Sequence, residues 1–273
     1  MAIDPTARVS DGARLGDGVE IGPYCLVGAD VVIEDGVRLI GHVHVTGATT
    51  IGVETVVYPF ASLGTPPQSV HYKGGRTRLM IGAHCEIREG VTMNTGTEGG
   101  SGLTRVGERC MFMVGSHVGH DCEVGDAVIF ANNAVLGGHA VIGNSTFLGG
   151  QAAVHQFVRV GEGAMISGLS GIANDLIPFG FAIGPKANLR GLNTVGLRRR
   201  GATRADLHRL RDVYRALFLG DGVFRERVEA VAGRFADDAV AMKIVDFVRA
   251  GGKRPLMRPS RHKVGDDDGH DAA

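Results

Sequence analysis

Residues 118–143 read VGHDCEVGDAVIFANNAVLGGHAVIG, and a large apolar side chain returns at every sixth place: Val118, Val124, Phe130, Leu136, Ile142. A period of six fits neither the 3.6-residue helix nor the two-residue alternation of an ordinary strand. The run extends back to Val106 and Phe112 and on through Leu148, Val154, Val160 and Ile166 to Ile172. An earlier run starts at Ile3 and steps by six through Val9, Leu15, Ile21, Val27, Ile33, Leu39, Val45, Ile51 and Val57 to Leu63. Ile81, Ile87 and Met93 continue that phase beyond a break, and the next residue is often glycine, as at Gly22, Gly52, Gly107 and Gly125.

This pattern belongs to a hexapeptide parallel β-helix. One short strand and one turn take six residues, and three hexads close a triangular coil. The apolar residue points into the prism, and the following glycine permits torsions or close approaches that a Cβ would hinder. The 26 hexads make about nine coils. Two breaks, at 64–80 and 94–105, must leave the prism as loops, and such loops often form a binding face. Beyond Ile172 the period fades. Thr203 reads as the N-cap of a helix carrying Leu207, Leu210, Val213, Tyr214 and Leu217, ended by Gly220-Asp221-Gly222. Residues 223–232 and 239–250 read as two more helices. The expected organisation is a β-helix over 1–186, a helical domain over 187–260 and a disordered tail over 261–273.

Composition narrows the class. Of 273 residues 44% are hydrophobic, enough for a core and too many for a disordered chain. The 43 glycines have no Gly-X-Y period, which excludes collagen. No apolar run reaches the roughly 18–20 residues of a membrane span, and the first residues lack the basic and apolar regions of a secretory signal. A cytoplasmic chain is expected. Cys25, Cys85, Cys110 and Cys122 are scattered and read as buried thiols rather than a zinc site. The formal charge of zero hides a division: −6 over 1–186, +8 over 187–260 and −2 in the tail. The basic helical segment is either a plain solvated surface or a docking face for an acidic partner. No motif or basic-aromatic interleaving points to nucleic acid.

Chemistry concentrates in the histidines. His139 lies 19 residues after His120 and His155 16 after His139, close to the eighteen of one coil, and His117 precedes them. Coils rise about 4.8 Å, so these imidazoles can line one face as a polar ladder. Two readings stay open: a zinc site of three imidazoles, or general-base catalysis by a histidine oriented by Asp121 beside His120.

The segment His117-Val118-Gly119-His120-Asp121-Cys122-Glu123-Val124-Gly125, with Ala131-Asn132-Asn133-Ala134, Gly137-Gly138-His139, Ala153-Val154-His155-Gln156-Phe157 and Arg198-Arg199-Arg200, resembles the UDP-N-acetylglucosamine O-acyltransferase family of lipid A biosynthesis. The likeness spans nearly the whole chain. It implies a left-handed parallel β-helix, a homotrimer with sites between subunits, an acyl carrier protein as donor, a UDP-sugar as acceptor, and neither metal nor cofactor. It implies His120 as general base, Asp121 as its orienting carboxylate and the Gly138 amide as oxyanion donor. His117, His139, His155, Gln156 and Asn193 match substrate contacts, Arg199 and Arg200 a basic pair near the phosphates, and Gly168 the end of the acyl groove. The first loop departs from the family: Ser69-Val70-His71-Tyr72 stands where Asp-Leu-Lys-Tyr is usual. Ser69 and His71 leave two acceptors open, the 3-hydroxyl sugar or a 3-amino analogue. A γ-type carbonic anhydrase on the same prism is the zinc alternative. The related N-acyltransferase with an extra N-terminal domain is not expected, because hexads begin at Ile3.

Overall fold

The computed structural model describes residues 2–260; the tail expected over 261–273 lies outside them. Strands of mostly two residues stack in parallel as three sheets of eleven, nine and eight strands, the faces of a triangular prism. The first sheet runs from Ala2–Ile3 to Asn188–Leu192, the second from Arg8–Val9 to Gly171–Ile172, and the third from Arg14–Leu15 to Arg159–Val160. Every hexad residue is the second residue of its strand or the last of a longer one, apart from those followed by an extension into a loop. From Ile21 onward these side chains form one continuous buried column. The nine strands of the second sheet correspond to the expected nine coils.

Three further regularities follow from stacking. The glycine after the hexad residue is needed for space: a Cβ on Gly82 would meet the Gly107 carbonyl carbon at 2.6 Å, and one on Gly107 would meet Gly125 at the same distance. Two residues before the hexad residue sits a second inward position, small and buried: Val19, Cys25, Ala61, Cys85, Cys110, Cys122, Ala134 and Ala164 among others. All four cysteines occupy it, and Cys110 and Cys122 turn their thiols to the Gly125 and Gly137 carbonyls of the next coil at 3.1 and 3.2 Å. Three residues before the hexad residue the chain turns the corner with positive φ, and fifteen non-glycine residues accept that conformation, including Asp121, His139 and Phe157. The left-handed region costs an L-residue roughly 1–2 kcal/mol, which the stacked coils on either side must offset.

The loops are shorter than the sequence breaks. Strands Ser62–Thr65, Arg78–Ile81, Thr92–Asn94 and Leu103–Val106 extend into them, so the excursions cover only 66–77 and 95–102. The boundary drawn at 186 also shifts. Gly180–Ile183 pairs antiparallel with Asn188–Leu192, and the returning strand ends the first sheet. Helices begin at α1 (Thr194–Arg199), a six-residue element with Leu197 as its buried residue and therefore no visible period. They continue as α2 (Arg204–Phe218), α3 (Phe224–Arg234) and α4 (Ala239–Ala250). Thr203 caps α2 as expected, in a reciprocal capping box with Asp206. No helix among the described residues is long and apolar enough to cross a membrane.

The helices are fastened to the prism at buried Asp175. Its carboxylate accepts from the Arg159 amide at 2.8 Å and from Arg159 Nε at 2.7 Å. The Arg159 guanidinium lies over the Phe247 ring of α4 and donates to the Phe247 carbonyl at 3.3 Å. Removing the carboxylate strands a largely buried guanidinium, a change that costs about 3–5 kcal/mol. Asp175→Ala is therefore expected to lower stability by about 3 kcal/mol and to expose 194–258 to protease before the prism opens. Asp175→Asn, which keeps one acceptor, is expected to lose less. Denaturant titration followed by limited proteolysis checks both.

Candidate active site

The second loop exists to hold one carboxylate. Asp121 sits at a corner between the second and third sheets with its side chain fully buried. Thr97 donates to it from both its amide, at 3.1 Å, and its hydroxyl, at 2.6 Å. Ser101 Oγ at 3.1 Å and the Gly102 amide at 3.2 Å complete the loop's contribution. The glycines of this loop make the approach possible: a Cβ on Gly100 would lie 2.5 Å from the carboxylate carbon, and one on Gly96 2.9 Å from Oδ1. Burial pushes the Asp121 carboxyl up, but hydrogen bonds from Thr97, His120 and Ser101 outweigh it and hold the group below the usual carboxylate range.

This anion faces His120. Nδ1 of His120 lies 2.9 Å from Asp121 Oδ2. An ionised carboxylate only accepts, so Nδ1 carries the hydrogen and Nε2 keeps its lone pair. The ring lies against Gly138, where a Cβ would come within 2.6 Å of it. The Gly138 N–H makes no hydrogen bond among the described residues and is a free donor at the same place. His139 meets His120 edge to face at 5.0 Å between centroids, and its other neighbour is Phe157, stacked at 4.4 Å. Burial lowers the His139 pKa, with Asp121 opposing and His120 and Lys253 adding. Burial also lowers that of His117, whose Nδ1 pairs with Thr92 Oγ1 at 2.8 Å.

His120, Asp121 and His139 bring three potential metal ligands within 4.8 Å of one another. The donor chemistry disfavours a cation there. Both Asp121 oxygens already receive N–H or O–H groups, and His120 turns a protonated nitrogen toward them. The zinc reading asked for three imidazoles, and among the described residues His120 and His139 come together with Asp121 rather than with a third histidine.

The remaining expected residues lie elsewhere. His155 is exposed and pairs with Arg254, and the Gln156 carbonyl accepts from the same guanidinium. Ser69 and His71 are in the first loop, where Ser69 Oγ accepts from the His71 amide at 3.3 Å. That loop is tied to the second through Glu98, which accepts from the Lys73 and Gly75 amides. Asn193 does not point at the histidines: Oδ1 caps α1 at Gly196, and Nδ2 donates to the Gly163 carbonyl at 2.9 Å. Arg200 reaches the same carbonyl at 3.4 Å, beside Arg199. Gly163 turns between the third and first sheets, a different edge of the prism from His120. Gly168 lies on the remaining edge, between the first and second sheets. Sequence reasoning missed Thr97, Ser101, Phe157, Lys253 and Arg254. Phe157 alone left a signal, lying eighteen residues after His139, as His139 does after Asp121.

Comparison with known proteins bears on the family and the fold. Residues 175–257 match the family model described as UDP N-acetylglucosamine O-acyltransferase, domain 2, and residues 103–138 match the bacterial transferase hexapeptide repeat. The acyl-[acyl-carrier-protein]–UDP-N-acetylglucosamine O-acyltransferase of Azorhizobium caulinodans is 60% identical, covering 97% of this chain and 98% of its own. The protein of that description from Rhizobium johnstonii is 48% identical over 96% of this chain and 97% of its own. The crystal structure of UDP-N-acetylglucosamine O-acyltransferase from Moraxella catarrhalis superposes with a TM-score of 0.91 at 37% identity, covering 94% of this chain and all of that one. The coil is the left-handed one of that fold, against the right-handed rule for parallel crossovers. With relatives of 60% and 48% identity and a solved structure of 37% identity covering almost the entire length, the chain belongs to the acyl-[acyl-carrier-protein]–UDP-N-acetylglucosamine O-acyltransferase family.

Proposed function

We propose that the protein transfers a 3-hydroxyacyl chain from acyl carrier protein to the 3-hydroxyl of UDP-N-acetylglucosamine, the first step of lipid A biosynthesis. The observation that carries the proposal is the caged Asp121 holding His120 with Nε2 free beside an unpaired Gly138 amide. Nε2 takes the proton of the sugar hydroxyl as its oxygen attacks the thioester carbonyl. Negative charge then gathers on the former carbonyl oxygen, where the Gly138 N–H donates. Asp121 stabilises the imidazolium meanwhile formed. Collapse breaks the carbon–sulfur bond, and the imidazolium returns its proton to the departing thiolate. His117 and His139, kept neutral by burial, serve as hydrogen-bonding groups rather than charges.

Two features support a homotrimer. Asn193, Arg199 and Arg200 lie on a different prism edge from His120, so one chain alone does not gather the groups a sugar nucleotide needs. Met111, Ile129, Phe147, Met165 and Phe181 stack in register as an outward apolar stripe on the first sheet. A threefold contact covers that stripe and brings one subunit's arginines toward the next subunit's histidines, where they suit a diphosphate. The donor approaches the helices. Arg204, His208, Arg211 and Arg215 lie exposed along one side of α2, and none of the three arginines has an ion-pair partner among the described residues. Such a stripe suits an acidic carrier protein. A cavity of about 620 Å³ beside His155, lined by Ala153, Gly171, Ile172 and Pro185, offers apolar space beside the strand that follows Gly168.

The first loop keeps the acceptor question open to experiment. Ser69 and His71 present neither the carboxylate nor the lysine usual in the family. A 3-amino acceptor must shed a proton before attacking, which an imidazole in that loop assists more readily than an ammonium. The purified enzyme should acylate UDP-N-acetylglucosamine faster than its 3-amino analogue; the reverse order would reassign the acceptor.

His120→Ala is expected to lower the rate by about 10²–10⁴ while thermal unfolding stays near wild type. Activity above a tenth of wild type would refute the base assignment. Sedimentation should show a trimer, and an active monomer would contradict the shared site. The acyl preference tests Gly168. A Cβ there meets the Gly150 backbone, its carbonyl oxygen at 3.2 Å and its nitrogen at 3.8 Å, so a side chain fits with a small shift. Wild type should prefer donors of about twelve carbons or more over ten, by roughly tenfold for two methylenes at ~0.8 kcal/mol each. Gly168→Met should reverse that order, and relative rates on ten-, twelve- and fourteen-carbon donors decide it.

A further inference from the structure

Arg254 belongs to the turn after α4, yet its guanidinium lies on the prism. Nε donates to the Gln156 carbonyl at 3.0 Å, and Nη2 stands 2.6 Å from His155 Nδ1. Guanidinium nitrogens only donate. Nδ1 of His155 must therefore be the accepting nitrogen, with the ring hydrogen on Nε2. The one competing partner for Nδ1, the Gln156 carbonyl at 3.3 Å, is already engaged by the closer Nε. An Nδ1–H tautomer would point its hydrogen at an arginine N–H.

The turn that carries Arg254 is itself fixed. Pro255 accepts from the Asp175 amide, and the buried Met257 donates to the Asp175 carbonyl, each at 2.8 Å. Lys253 lies over the Phe157 ring at 4.3 Å, on the ring that stacks against His139. Residues 253 and 254 thus brace two successive histidines of the site from outside.

We propose that Arg254 is a positioning residue for the acceptor. It locks exposed His155 as an Nε2–H donor, so that an acceptor oxygen of the sugar nucleotide, on a phosphate or an amide, meets a fixed hydrogen rather than a ring that exchanges tautomers. The proposal rests on the reading of His155 as a nucleotide contact, and its test has one arm that does not.

That arm is nitrogen NMR of histidine-labelled enzyme without substrate. His155 should show the Nε2–H tautomer in wild type and a mixture in Arg254→Met. The kinetic arm compares KM with kcat. Arg254→Met should raise KM for the UDP-sugar about tenfold, the scale of one hydrogen bond, with kcat and the acyl-donor KM within about twofold. Arg254→Lys, which keeps one donor but loses the fork, should recover part of the loss. In a His155→Ala background Arg254→Met should change little more, since both act through one contact. An unchanged tautomer, or fully additive effects of the two substitutions, overturns the proposal. A shifted tautomer with an unmoved KM overturns the nucleotide contact and leaves acyl transfer itself untouched.

Discussion

Everything in this molecule depends on the short distance between one coil and the next. Parallel strands stack about 4.8 Å apart, and at that spacing a side chain between two backbones has no room. Where a glycine follows the hexad residue it answers that constraint, as the clash distances at Gly82 and Gly107 show. The same spacing stacks each corner residue on its counterpart one coil away. An aromatic or imidazole ring at a corner therefore meets another ring at van der Waals distance without any further device. His139 on Phe157 is such a pair, and Tyr24 on His42 on Phe60 repeats it at the other end of the prism. The fold supplies a ladder, and the chemistry depends on which residues stand on its rungs.

A ladder alone does not make a base. The imidazole of His120 needs a carboxylate that stays ionised although buried, and an isolated buried carboxylate would take up a proton instead. Most of the prism's amides are used between coils, and none of them reaches Asp121. The excursion over 95–102 brings the missing donors: an amide and a hydroxyl from Thr97, a hydroxyl from Ser101 and an amide from Gly102. Each is a charge-assisted bond to a buried anion, stronger than a neutral one. Of the glycines in that loop, Gly96 and Gly100 answer a steric need beside the carboxylate, and Gly102 takes a positive φ.

What could be read from the sequence follows the same division. The hexad column was legible because it depends on one residue type at one period. The small inward position two residues earlier was hidden, because valine, cysteine, alanine, threonine and serine all fill it; the four cysteines looked scattered for that reason. The strand Asn188–Leu192 and α1 were missed, since a hairpin return and a six-residue helix leave no repeat to count. At the site, His120 and Asp121 were readable as neighbours in sequence. The histidine spacings of 19 and 16 were less informative than they looked. The true column is Asp121, His139 and Phe157, eighteen apart, with His120 leaning in from the preceding residue and His155 from a strand end. Thr97 and Ser101 carried no signal because a hydroxyl in a loop is ordinary until its partner is known.

The helical segment also looks different once its contacts are followed. Its charge suggested a surface for a partner, and Arg204, Arg211 and Arg215 along α2 do lie exposed without ion-pair partners among the described residues. Yet the end of the segment turns inward. Asp175 ties Arg159, Phe247, Pro255 and Met257 into one junction, and from that junction Lys253 and Arg254 reach the corner that carries Phe157 and His155. A site assembled only from prism corners would leave its outermost histidine exchanging between two tautomers. By folding back over that corner, the chain gives a rigid but shallow surface a second wall. The wall is basic, and it cannot titrate at Arg254, because a guanidinium stays charged throughout the physiological range. The prism thus sets the spacing of the reactive groups, and the helices determine how the most exposed of them is presented.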